Sequence, residues 1–393
     1  MRILQVCIHY PPSVGGVENF VKELNHNILA LSPDTKITVL CFRRSKGEKK
    51  DSMLDGVRVI RLNSFFTISS QPVSPFLTSK IKTILQKEQF DIINFHYPNP
   101  LLSNALLRAY RETKCKAKLY VHWHGDIVGR AILSPWYIKS TNSLLKTCDC
   151  VTSDTMNYAR NSKLLNDYMN KVAVIPAIPN FSILNANHRN LEIEKTIEKM
   201  AKGRKIIFSF GRMVKWKGFQ YVIKAFKKLD QSKYVLLLGG YGKYEKALKK
   251  LGSGNNNIFF VGKIDETTKY SYLTKSNLFV FPSYGRQEAF GICLAEAMYC
   301  KSLCLAFDFD DLGAREIAIP GFSCFAAKPL DSDDLAKQIA YCCHIDSSER
   351  ERITNNAKGI IDEKLSIHYY RKQINLIYFS NGTLTDLNIN SAN

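Results

Sequence analysis

The chain has 393 residues, of which 45% are hydrophobic and 23% are charged, an ordinary balance for a folded protein with two domains. Its net charge of +20 is unusual and is not confined to one basic tail. Residues 1–180 contain 24 Lys and Arg against 13 Asp and Glu, and the remainder contains 31 against 22. The charge favours acidic partners, namely phosphorylated ligands, an anionic membrane surface or nucleic acid, although a soluble basic surface also fits it.

The first residues run directly into a strand pattern and show no small-residue cleavage site of a secretory signal. The longest apolar runs, such as 234–238, are too short to span a bilayer. The 11 cysteines are not evenly spaced, and Cys148-Asp-Cys150 and Cys342-Cys343 lack the spacing of a zinc site. We therefore expect a cytoplasmic protein with reduced thiols, free or peripheral on the inner face of the cytoplasmic membrane.

Short apolar runs alternate with helical patterns through the first half of the chain. The predicted helices include residues 17–31, 81–85 and 102–110. The predicted strands are Ile3–Ile8, Ile37–Phe42, Val57–Leu62, Asp91–Phe95, Leu119–His122, Cys150–Ser153 and Val172–Ile175.

A polar break near 176–190 and a charged, helix-like stretch over 191–202 separate this half from a second alternation. The second half has predicted strands at 206–210, 234–238, 258–261, 278–281 and 303–307, with helices near 218–229, 243–250, 266–275, 291–300 and 332–345. Repeated alternation of this kind predicts two doubly wound parallel sheets in an α/β protein. We predict domains at 1–180 and 181–365, a last helix over 366–380 that packs on the first domain, and a frayed polar tail over 381–393.

The most informative segment follows the predicted strand Asn277–Phe281 and reads Glu288-Ala-Phe-Gly-Ile-Cys-Leu-Ala-Glu296. With a helix starting near Gly291, Glu288 lies in the preceding loop and Glu296 about a turn and a half into the helix, so both can face one cleft. The amides of Phe290, Gly291 and Ile292 form a helix N-terminus, which favours anions. The pattern indicates a ligand with hydroxyls and phosphate, such as a nucleotide sugar; two surface glutamates are the plainer interpretation.

Two cations follow the first strand of the second half, in Ser209-Phe-Gly-Arg212-Met-Val-Lys-Trp-Lys217-Gly. A diphosphate leaving group needs such charges at a strand end, although surface bases are common in so basic a protein. The glycine-bounded loops at 239–242 and 260–264, which include Gly240 and Ile264, could cradle a base or ribose. No P-loop motif occurs, which argues against a P-loop kinase.

In the first half, Gly15 and Gly16 precede a helix, where glycine allows the backbone to approach a ligand. His124 and Asp126 follow a later strand in His-Trp-His-Gly-Asp. A His-x-His pair can bind a metal, but the spacing shows no third ligand, so we predict no metal.

These motifs, taken together, resemble glycosyltransferase family 4. They are Gly-Gly-Val-Glu at 15–18, His-Gly-Asp at 124–126, Gly-Arg-x4-Lys-Gly at 211–218 and Glu-x7-Glu at 288–296, and the resemblance extends from Met1 to about Phe325. It is strongest to transferases of bacterial O-antigen, capsule and exopolysaccharide. It implies the GT-B fold, in which two Rossmann-like domains face each other across a cleft. It also implies retaining transfer of a hexosyl group from a nucleoside diphosphate sugar, with the sugar left open among mannosyl, glucosyl, galactosyl and N-acetylhexosaminyl.

The resemblance also implies roles for single residues. Arg212 and Lys217 would bind the donor diphosphate, Glu288 the sugar hydroxyls and Glu296 the ribose hydroxyls, and His124 would contact the sugar near the reacting carbon. The other donor-site residues would be Gly15, Gly16, Gly240, Ile264, Phe290, Gly291 and Ile292, with Asp126 on the acceptor side. No cofactor or metal is expected, because the cations and the helix N-terminus neutralise the diphosphate. The family often has a Gly-Gly-x-x-Glu turn where this chain has acidic residues over 309–316, which leaves the role of Glu316 open.

The expected acceptor is a lipid-linked oligosaccharide or polysaccharide. Lys80, Lys82 and Lys87 lie on an amphipathic helix, and a second basic cluster covers 108–118; such surfaces bind anionic membranes, although two solvated helix faces would have the same pattern. A sugar-nucleotide epimerase would share the architecture. A nucleic-acid-binding protein is suggested by the charge alone, and without a recognisable module no nucleic acid is expected.

Overall fold

The computed structural model describes residues 1–13, 15–45, 47–68, 71–127 and 134–380. The predicted tail at 381–393 lies outside these residues. The chain forms two compact units: Met1–Pro176 together with the segment from Ile367 onward, and Ala177–Ser366. The sequence prediction had placed the two boundaries at 180/181 and 365/366, within a few residues of these positions.

The first unit contains an eight-stranded sheet and a separate hairpin. Its strands are β1 (Arg2–Val6), β2 (Lys36–Phe42), β3 (Asp51–Leu54), β4 (Val57–Leu62), β5 (Phe66–Ile68), β6 (Gln71–Val73), β7 (Ile92–Tyr97), β8 (Lys118–Trp123), β9 (Cys150–Ser153) and β10 (Val172–Val174). Its helices up to Pro176 are α1 (Gly16–Leu31), α2 (Leu77–Lys87), α3 (Pro100–Glu112), α4 (Ser134–Thr147) and α5 (Met156–Arg160).

The sheet order in the first unit is β10-β9-β8-β7-β1-β2-β4-β3, with every pair parallel except β3 and β4. The strand order reverses between β1 and β7, which is the switch point of a doubly wound sheet. The sequence prediction missed β3 and the β5–β6 hairpin, because these strands have only three or four residues each and no continuous apolar run that would mark a buried strand.

The second unit is built on a six-stranded, fully parallel sheet. Its strands are β11 (Lys205–Phe210), β12 (Tyr234–Gly239), β13 (Ile258–Gly262), β14 (Leu278–Phe281), β15 (Cys304–Phe307) and β16 (Phe325–Ala327), in the order β13-β12-β11-β14-β15-β16. This is the order of the dinucleotide-binding fold, with its switch point between β11 and β14. The helices are α6 (Leu191–Ala201), α7 (Phe219–Phe226), α8 (Glu245–Gly252), α9 (Lys269–Lys275), α10 (Ile292–Tyr299), α11 (Ser332–His344) and α12 (Ser347–Lys364).

The core of the second unit forms where apolar strand residues meet α7 and α11. Ile207, Leu236 and Leu305 are fully buried in it. The sequence analysis did not predict α12, because this 18-residue helix is mostly polar and buries only a narrow stripe that includes Ile353, Ala357 and Ile361. Such a stripe is a weaker periodic signal than a broad apolar face.

The last described segment is α13 (Ile367–Ile374), followed by a π-helical turn over Asn375–Phe379. Asn94 of β7 donates to the Tyr378 hydroxyl at 2.9 Å, and Arg371 donates to the Asn27 side chain of α1 at 2.9 Å. Tyr370 is fully buried. The chain therefore returns to the first unit after completing the second.

Candidate active site

The candidate site in the second unit lies where β11 and β14 end, at the switch point of its sheet. Gly218 (φ 76°) ends the loop after β11, and a Cβ at this position would lie 1.9 Å from the Pro282 carbonyl oxygen. The Tyr284 amide donates to the Trp216 carbonyl at 3.0 Å. Glycine thus allows the loop after β11, which carries Arg212 and Lys217, to contact the loop after β14, which carries Glu288.

Lys217 and Glu288 form a buried ion pair between these loops, with their side chains 12% and 10% exposed. Glu288 also accepts a hydrogen bond from Ser283 Oγ at 3.0 Å. Burial alone would lower the pKa of Lys217, but the neighbouring Cys293 and Glu288 raise it above its ordinary value. Lys217 is therefore a charged ammonium at neutral pH. Arg212 is exposed in the same loop, and its charge acts against protonation of Lys217, so the two cations are neighbours.

Glu296 lies on α10, the helix that starts directly after this loop. Gly291 (φ 94°) is the N-cap, and its carbonyl accepts from the Leu294 amide at 2.9 Å. Glu296 is buried and accepts a hydrogen bond from Lys269 Nζ at 2.6 Å. Burial raises the pKa of Glu296 to about 7, against the opposing effect of Lys269. The helix start and the carboxylate lie as the sequence predicted, whereas Lys269 was not foreseen.

The loops after β12 and β13 lie beside the cation loop. Gly240 (φ 120°) is packed so closely that a Cβ there would be 1.9 Å from the Gly211 carbonyl oxygen. Its amide donates to the Gly262 carbonyl at 2.6 Å, and the Ile264 side chain contacts Gly239. Gly240 and Ile264 thus lie next to the loop that carries Arg212 and Lys217.

In the first unit, Gly15 and Gly16 lie at the start of α1, after β1. The Glu18 carboxylate fills the space beside Gly15, where a Cβ would be 2.3 Å from Glu18 Oε2. At Gly16 a Cβ would meet no atom of the described residues within 4 Å. The space at Gly16 is compatible with the predicted approach of a ligand.

His124 belongs to a histidine cluster at the carboxyl ends of β7 and β8. Its Nε2 lies 3.0 Å from Nδ1 of His96, and Nε2 of His96 lies 2.9 Å from Gln5 Oε1. Phe20 packs on the ring of His122 with centroids 4.0 Å apart. Burial lowers the pKa of His122 to about 3, and burial followed by the neighbouring histidines lowers the pKa of His96 and His124 well below their ordinary values. The three imidazoles are therefore neutral at neutral pH.

The same cluster contains a group with the composition of a metal site. The donor atoms of His122, His124 and Asp154 lie within 4.8 Å of one another. The sequence argument found no third ligand because Asp154 follows the next strand and is adjacent only in the fold. His122 already has protein partners, with Nδ1 2.8 Å from Thr152 Oγ1 and Nε2 3.4 Å from Asp154. These contacts account for the cluster as a hydrogen-bonded network.

Asp126, the predicted acceptor-side residue, holds the loop after β8 in place through three hydrogen bonds. Its Oδ1 accepts from Trp123 Nε1 at 3.0 Å and from Ser162 Oγ at 2.7 Å, and its amide donates to the Tyr158 hydroxyl at 2.7 Å. These contacts give Asp126 a structural role, and acceptor binding stays a prediction.

Glu316 ends a short turn, Gly313–Glu316, after β15. Arg315 pairs with Asp308 at 2.6 Å and with Asp310 at 3.2 Å. Of the two acidic residues that stand where the related family has glycines, Asp310 therefore pairs with an arginine of the same turn, and Asp311 pairs with Arg286 at 3.6 Å.

Both halves of the chain match known glycosyltransferase domains. Residues 14–177 match the family described as Glycosyltransferase Family 4, and residues 192–359 match Glycosyl transferases group 1. The chain belongs to the family 4 glycosyltransferases. It is therefore an enzyme that transfers a sugar.

Curated relatives are similar at low identity over most of their length. The chain is 26% identical over 309 residues to an O-antigen chain mannosyltransferase C of Escherichia coli, covering 75% of this chain and 76% of the relative. It is 28% identical over 407 residues to an uncharacterized glycosyltransferase of Methanocaldococcus jannaschii, covering 95% and 98%. A D-rhamnosyltransferase of Pseudomonas aeruginosa is 25% identical over 319 residues, covering 77% of each chain.

Solved structures show the same fold. A sucrose-phosphate synthase from Thermosynechococcus elongatus superimposes with a TM-score of 0.78 at 16% identity, over 96% of this chain and 98% of that one. Anabaena HepE in complex with UDP and glucose gives a TM-score of 0.72 at 19% identity, over 95% and 98%. The chain has the GT-B fold.

Proposed function

We propose that this enzyme transfers a hexosyl group, with retention of configuration, from a nucleoside diphosphate sugar to a hydroxyl of a lipid-linked or polysaccharide acceptor during assembly of a bacterial surface polysaccharide. The observation that carries the proposal is the buried Lys217–Glu288 pair beside Glu296 at the switch point of the second sheet. The O-antigen mannosyltransferase and the D-rhamnosyltransferase among its relatives support the substrate class.

The site supplies charge where the leaving group gains it. As the bond from the sugar C1 to the diphosphate oxygen breaks, Arg212, Lys217 and the N-terminus of α10 stabilise the departing diphosphate. A new bond forms from C1 to the acceptor oxygen on the same face, and the acceptor proton goes to the leaving phosphate oxygen. Glu288 accepts hydrogen bonds from the sugar hydroxyls, and the protein otherwise acts by orienting the reactants.

Binding of the diphosphate requires Lys217 to be shared between Glu288 and the ligand. In the unliganded pair the ammonium is satisfied by the carboxylate, which keeps both charges stable in a buried place. A diphosphate gives Lys217 a second anion, and Glu288 then gains sugar hydroxyls as donors. The pair thus links recognition of the sugar to recognition of the phosphate.

We also propose that the reaction needs no metal. Two cations and a helix N-terminus lie at the proposed diphosphate position, and they would supply the positive charge that a divalent ion would otherwise provide. The predicted roles of Gly15, Gly16 and His124 in donor binding are kept as part of this proposal.

A surface on the first unit with exposed aromatics and basic residues supports the proposal of a lipid-linked acceptor. Phe65, Phe66 and Phe76 are exposed in the segment before and at the start of α2, which carries the basic residues at 80, 82 and 87. Exposed aromatics beside a basic helix are typical of interfacial membrane binding. Lys82 pairs with Glu112 of α3 at 2.9 Å, which reduces the net charge of this face. None of the described helices is long and apolar enough to cross a membrane.

The proposal is tested first by thermal shift with UDP, GDP, ADP and their sugars. A ligand that binds the folded state raises the unfolding temperature by mass action, so the panel identifies the donor base. The stabilising sugar nucleotide is then incubated with and without a lipid-linked acceptor. Transfer only with the acceptor supports the proposal. Release of an epimerised sugar nucleotide from donor alone would overturn it in favour of an epimerase.

A further inference from the structure

Lys269 is a buried lysine at the proposed ribose end of the site. It is the first residue of α9 and is 5% exposed. Its Nζ lies 2.6 Å from Glu296 Oε1 and 2.9 Å from Glu266 Oε2, and 5.8 Å from the centroid of the Phe210 ring. The ammonium therefore joins the buried carboxylate of α10 to Glu266, whose side chain is 60% exposed.

The charges of this pair depend on each other. Burial alone would lower the pKa of Lys269, but the carboxylates of Glu296 and Glu266 raise it above its ordinary value, so the ammonium is charged. Burial raises the pKa of Glu296 to about 7, and Lys269 is the strongest influence in the other direction. Without a cation at this position, burial would favour the neutral acid more strongly.

We propose that Lys269 is a positioning residue that keeps the Glu296 carboxylate ionised and fixed in orientation, so that Glu296 accepts hydrogen bonds from the ribose hydroxyls of the donor. The inference rests on the proposed function and on the predicted binding of the donor ribose by Glu296. Ionisation matters because only the carboxylate offers both of its oxygens as acceptors. Lys269 itself is satisfied by the two carboxylates and acts through Glu296.

Other ionisable groups also face Glu296. Lys217, from the loop after β11, lowers the pKa of Glu296, and Glu266 raises it. On its own helix, burial raises the pKa of Cys293 to about 11, and directly after the helix it raises the pKa of Cys300 to about 12, so both thiols are neutral. From α12, Lys358 lies over the Tyr299 ring, 4.3 Å from its centroid. Lys269 thus lowers the pKa of Glu296, whereas Glu266 raises it.

The expected pH dependence follows from these signs. Ribose binding through Glu296 is strong above its pKa of about 7 and weakens as the pH falls through that value and the carboxylate is protonated. Lys269→Met removes an opposite charge in contact, which raises a carboxyl pKa by about 1–3 units. The acid limb of nucleotide binding, which is the pH range over which binding weakens as the pH falls, should move to higher pH by that amount. Glu266→Gln should move it to lower pH, and by less because Glu266 is exposed.

The experiment measures Kd for UDP, GDP and ADP between pH 6 and 9 by calorimetry in wild type, Lys269→Met, Lys269→Arg and Glu266→Gln. At pH 7, where half of Glu296 is ionised in wild type, Lys269→Met should weaken binding of the preferred nucleotide about fivefold for a shift of one pKa unit and about 50-fold for a shift of two. At pH 9 the same shifts of one or two units leave at least half of the carboxylate ionised, so the difference from wild type should shrink to about twofold or less. Lys269→Arg should restore the wild-type limb, because it keeps the charge.

Lys275→Met is the matched control. Lys275 is the last residue of α9 and pairs with Glu198 at 2.6 Å and Glu194 at 3.4 Å, away from Glu296. Its loss should leave the pH limb unchanged. A 2′,3′-dideoxy nucleoside diphosphate, which lacks both ribose hydroxyls, should bind wild type and Lys269→Met with the same pH dependence.

An unchanged limb in Lys269→Met would overturn the inference. If this variant does not fold, the single variant Glu296→Gln is compared with the double variant Lys269→Met/Glu296→Gln. The double variant should fold because it leaves no unpaired buried charge. Without a carboxylate at position 296, the single and double variants should have the same pH profile of nucleotide binding. A shift of this profile in the double variant would contradict the inference. If Glu296→Gln leaves Kd unchanged while Arg212→Ala abolishes transfer, the ribose assignment fails but the transferase function stands. Absence of any sugar transfer from the panel donors would instead contradict the proposed function.

Discussion

At the scale of single residues, the site depends on buried charges that neutralise each other. The second unit contains two such ion pairs, Lys217 with Glu288 and Lys269 with Glu296. A buried pair adds little net stability, because both ions lose hydration, but removal of one partner is costly. Ligand binding is thus a better physical reason for these pairs than stability of the fold.

Arg212→Ala and Lys217→Ala should each reduce kcat by about 100-fold or more, the scale of losing one preorganised charge stabiliser. Both residues lie at loop positions, which alone predicts nearly unchanged folding, but the buried ion pair changes this expectation for Lys217. Arg212 is exposed, so its loss should leave the unfolding temperature unchanged. Loss of Lys217 leaves Glu288 buried without its cation and should cost about 3–5 kcal/mol.

Steady-state kinetics and thermal unfolding check both expectations. Lys215→Ala is the control, because Lys215 is an exposed base of the same loop, and it should retain activity and stability. Full activity in Arg212→Ala or Lys217→Ala would remove the assignment of the diphosphate to this loop.

The histidine cluster gives a second prediction at this scale. Transfer activity should survive dialysis against EDTA, because Arg212, Lys217 and the α10 N-terminus supply the positive charge at the diphosphate. Elemental analysis of the purified protein should find no stoichiometric metal. Complete loss of activity on chelation, with recovery on adding Mg²⁺, Mn²⁺ or Zn²⁺, would mean that His122, His124 and Asp154 bind an ion needed for transfer.

At the scale of elements, the candidate site lies where parallel strands end. The loops after β11 and β14 carry the cations and the carboxylates because the switch point leaves a crevice between helices on opposite faces of the sheet. Away from these ends, α2 has an apolar face that includes Ile81 and Leu85 and a basic outer side. Because α2 carries none of the residues of the candidate donor site, the membrane prediction can be tested without altering that site.

Changing Lys80, Lys82 and Lys87 to Glu alters the charge of α2 by six units. Each basic residue near an anionic surface contributes about 1 kcal/mol, so binding to phosphatidylserine-containing vesicles should collapse. Activity on a short soluble acceptor should persist. Co-sedimentation and a transfer assay measure the two effects.

The matched control changes Lys246, Lys249 and Lys250 of α8, three exposed lysines on a helix of the second unit, to Glu. It imposes the same change of charge and should retain vesicle binding. Equal loss in both triple variants would show that net charge, rather than the α2 surface, governs binding. Unchanged sedimentation of the α2 variant would direct the search to the basic cluster at 108–118.

At the scale of the whole molecule, the chain crosses between its units twice. It leaves the first unit near Pro176 and returns at Ile367. Tyr370 and Tyr378 are buried in the first unit, although they follow the second unit in sequence. The stability of the first unit therefore depends on residues that follow the second unit in the chain.

A chain that ends at Ser366 should lose the packing of α13 and destabilise the first unit. Truncating a large buried aromatic costs about 3–5 kcal/mol, so the loss of two tyrosines should lower its unfolding temperature by about 10 °C or more. Calorimetry and limited proteolysis measure this effect. A chain that ends at Ser380 keeps the helix and serves as the control. Equal unfolding temperatures for the two truncations would contradict the assignment of α13.

The sequence by itself determined the two alternations of strand and helix, because continuous apolar runs and helical periodicity are local signals. The fold class and the family followed from them and from four motifs in order, and the comparisons confirmed both. The strand and helix around Glu288 and Glu296 lie where the pattern placed them. Short edge strands and the mostly polar α12 escaped prediction, because their burial is slight or confined to a narrow stripe.

Only the tertiary structure decided which charges meet. Lys269 is one lysine in a polar stretch of sequence, and its contact with Glu296 spans 27 residues of chain. Asp154 joins His122 and His124 because β8 and β9 are parallel neighbours, not because of spacing along the chain. The contact of Lys217 with Glu288 requires Gly218 to admit the Pro282 carbonyl. Partners of this kind are set by strand order and loop packing, and no local pattern of residues encodes them.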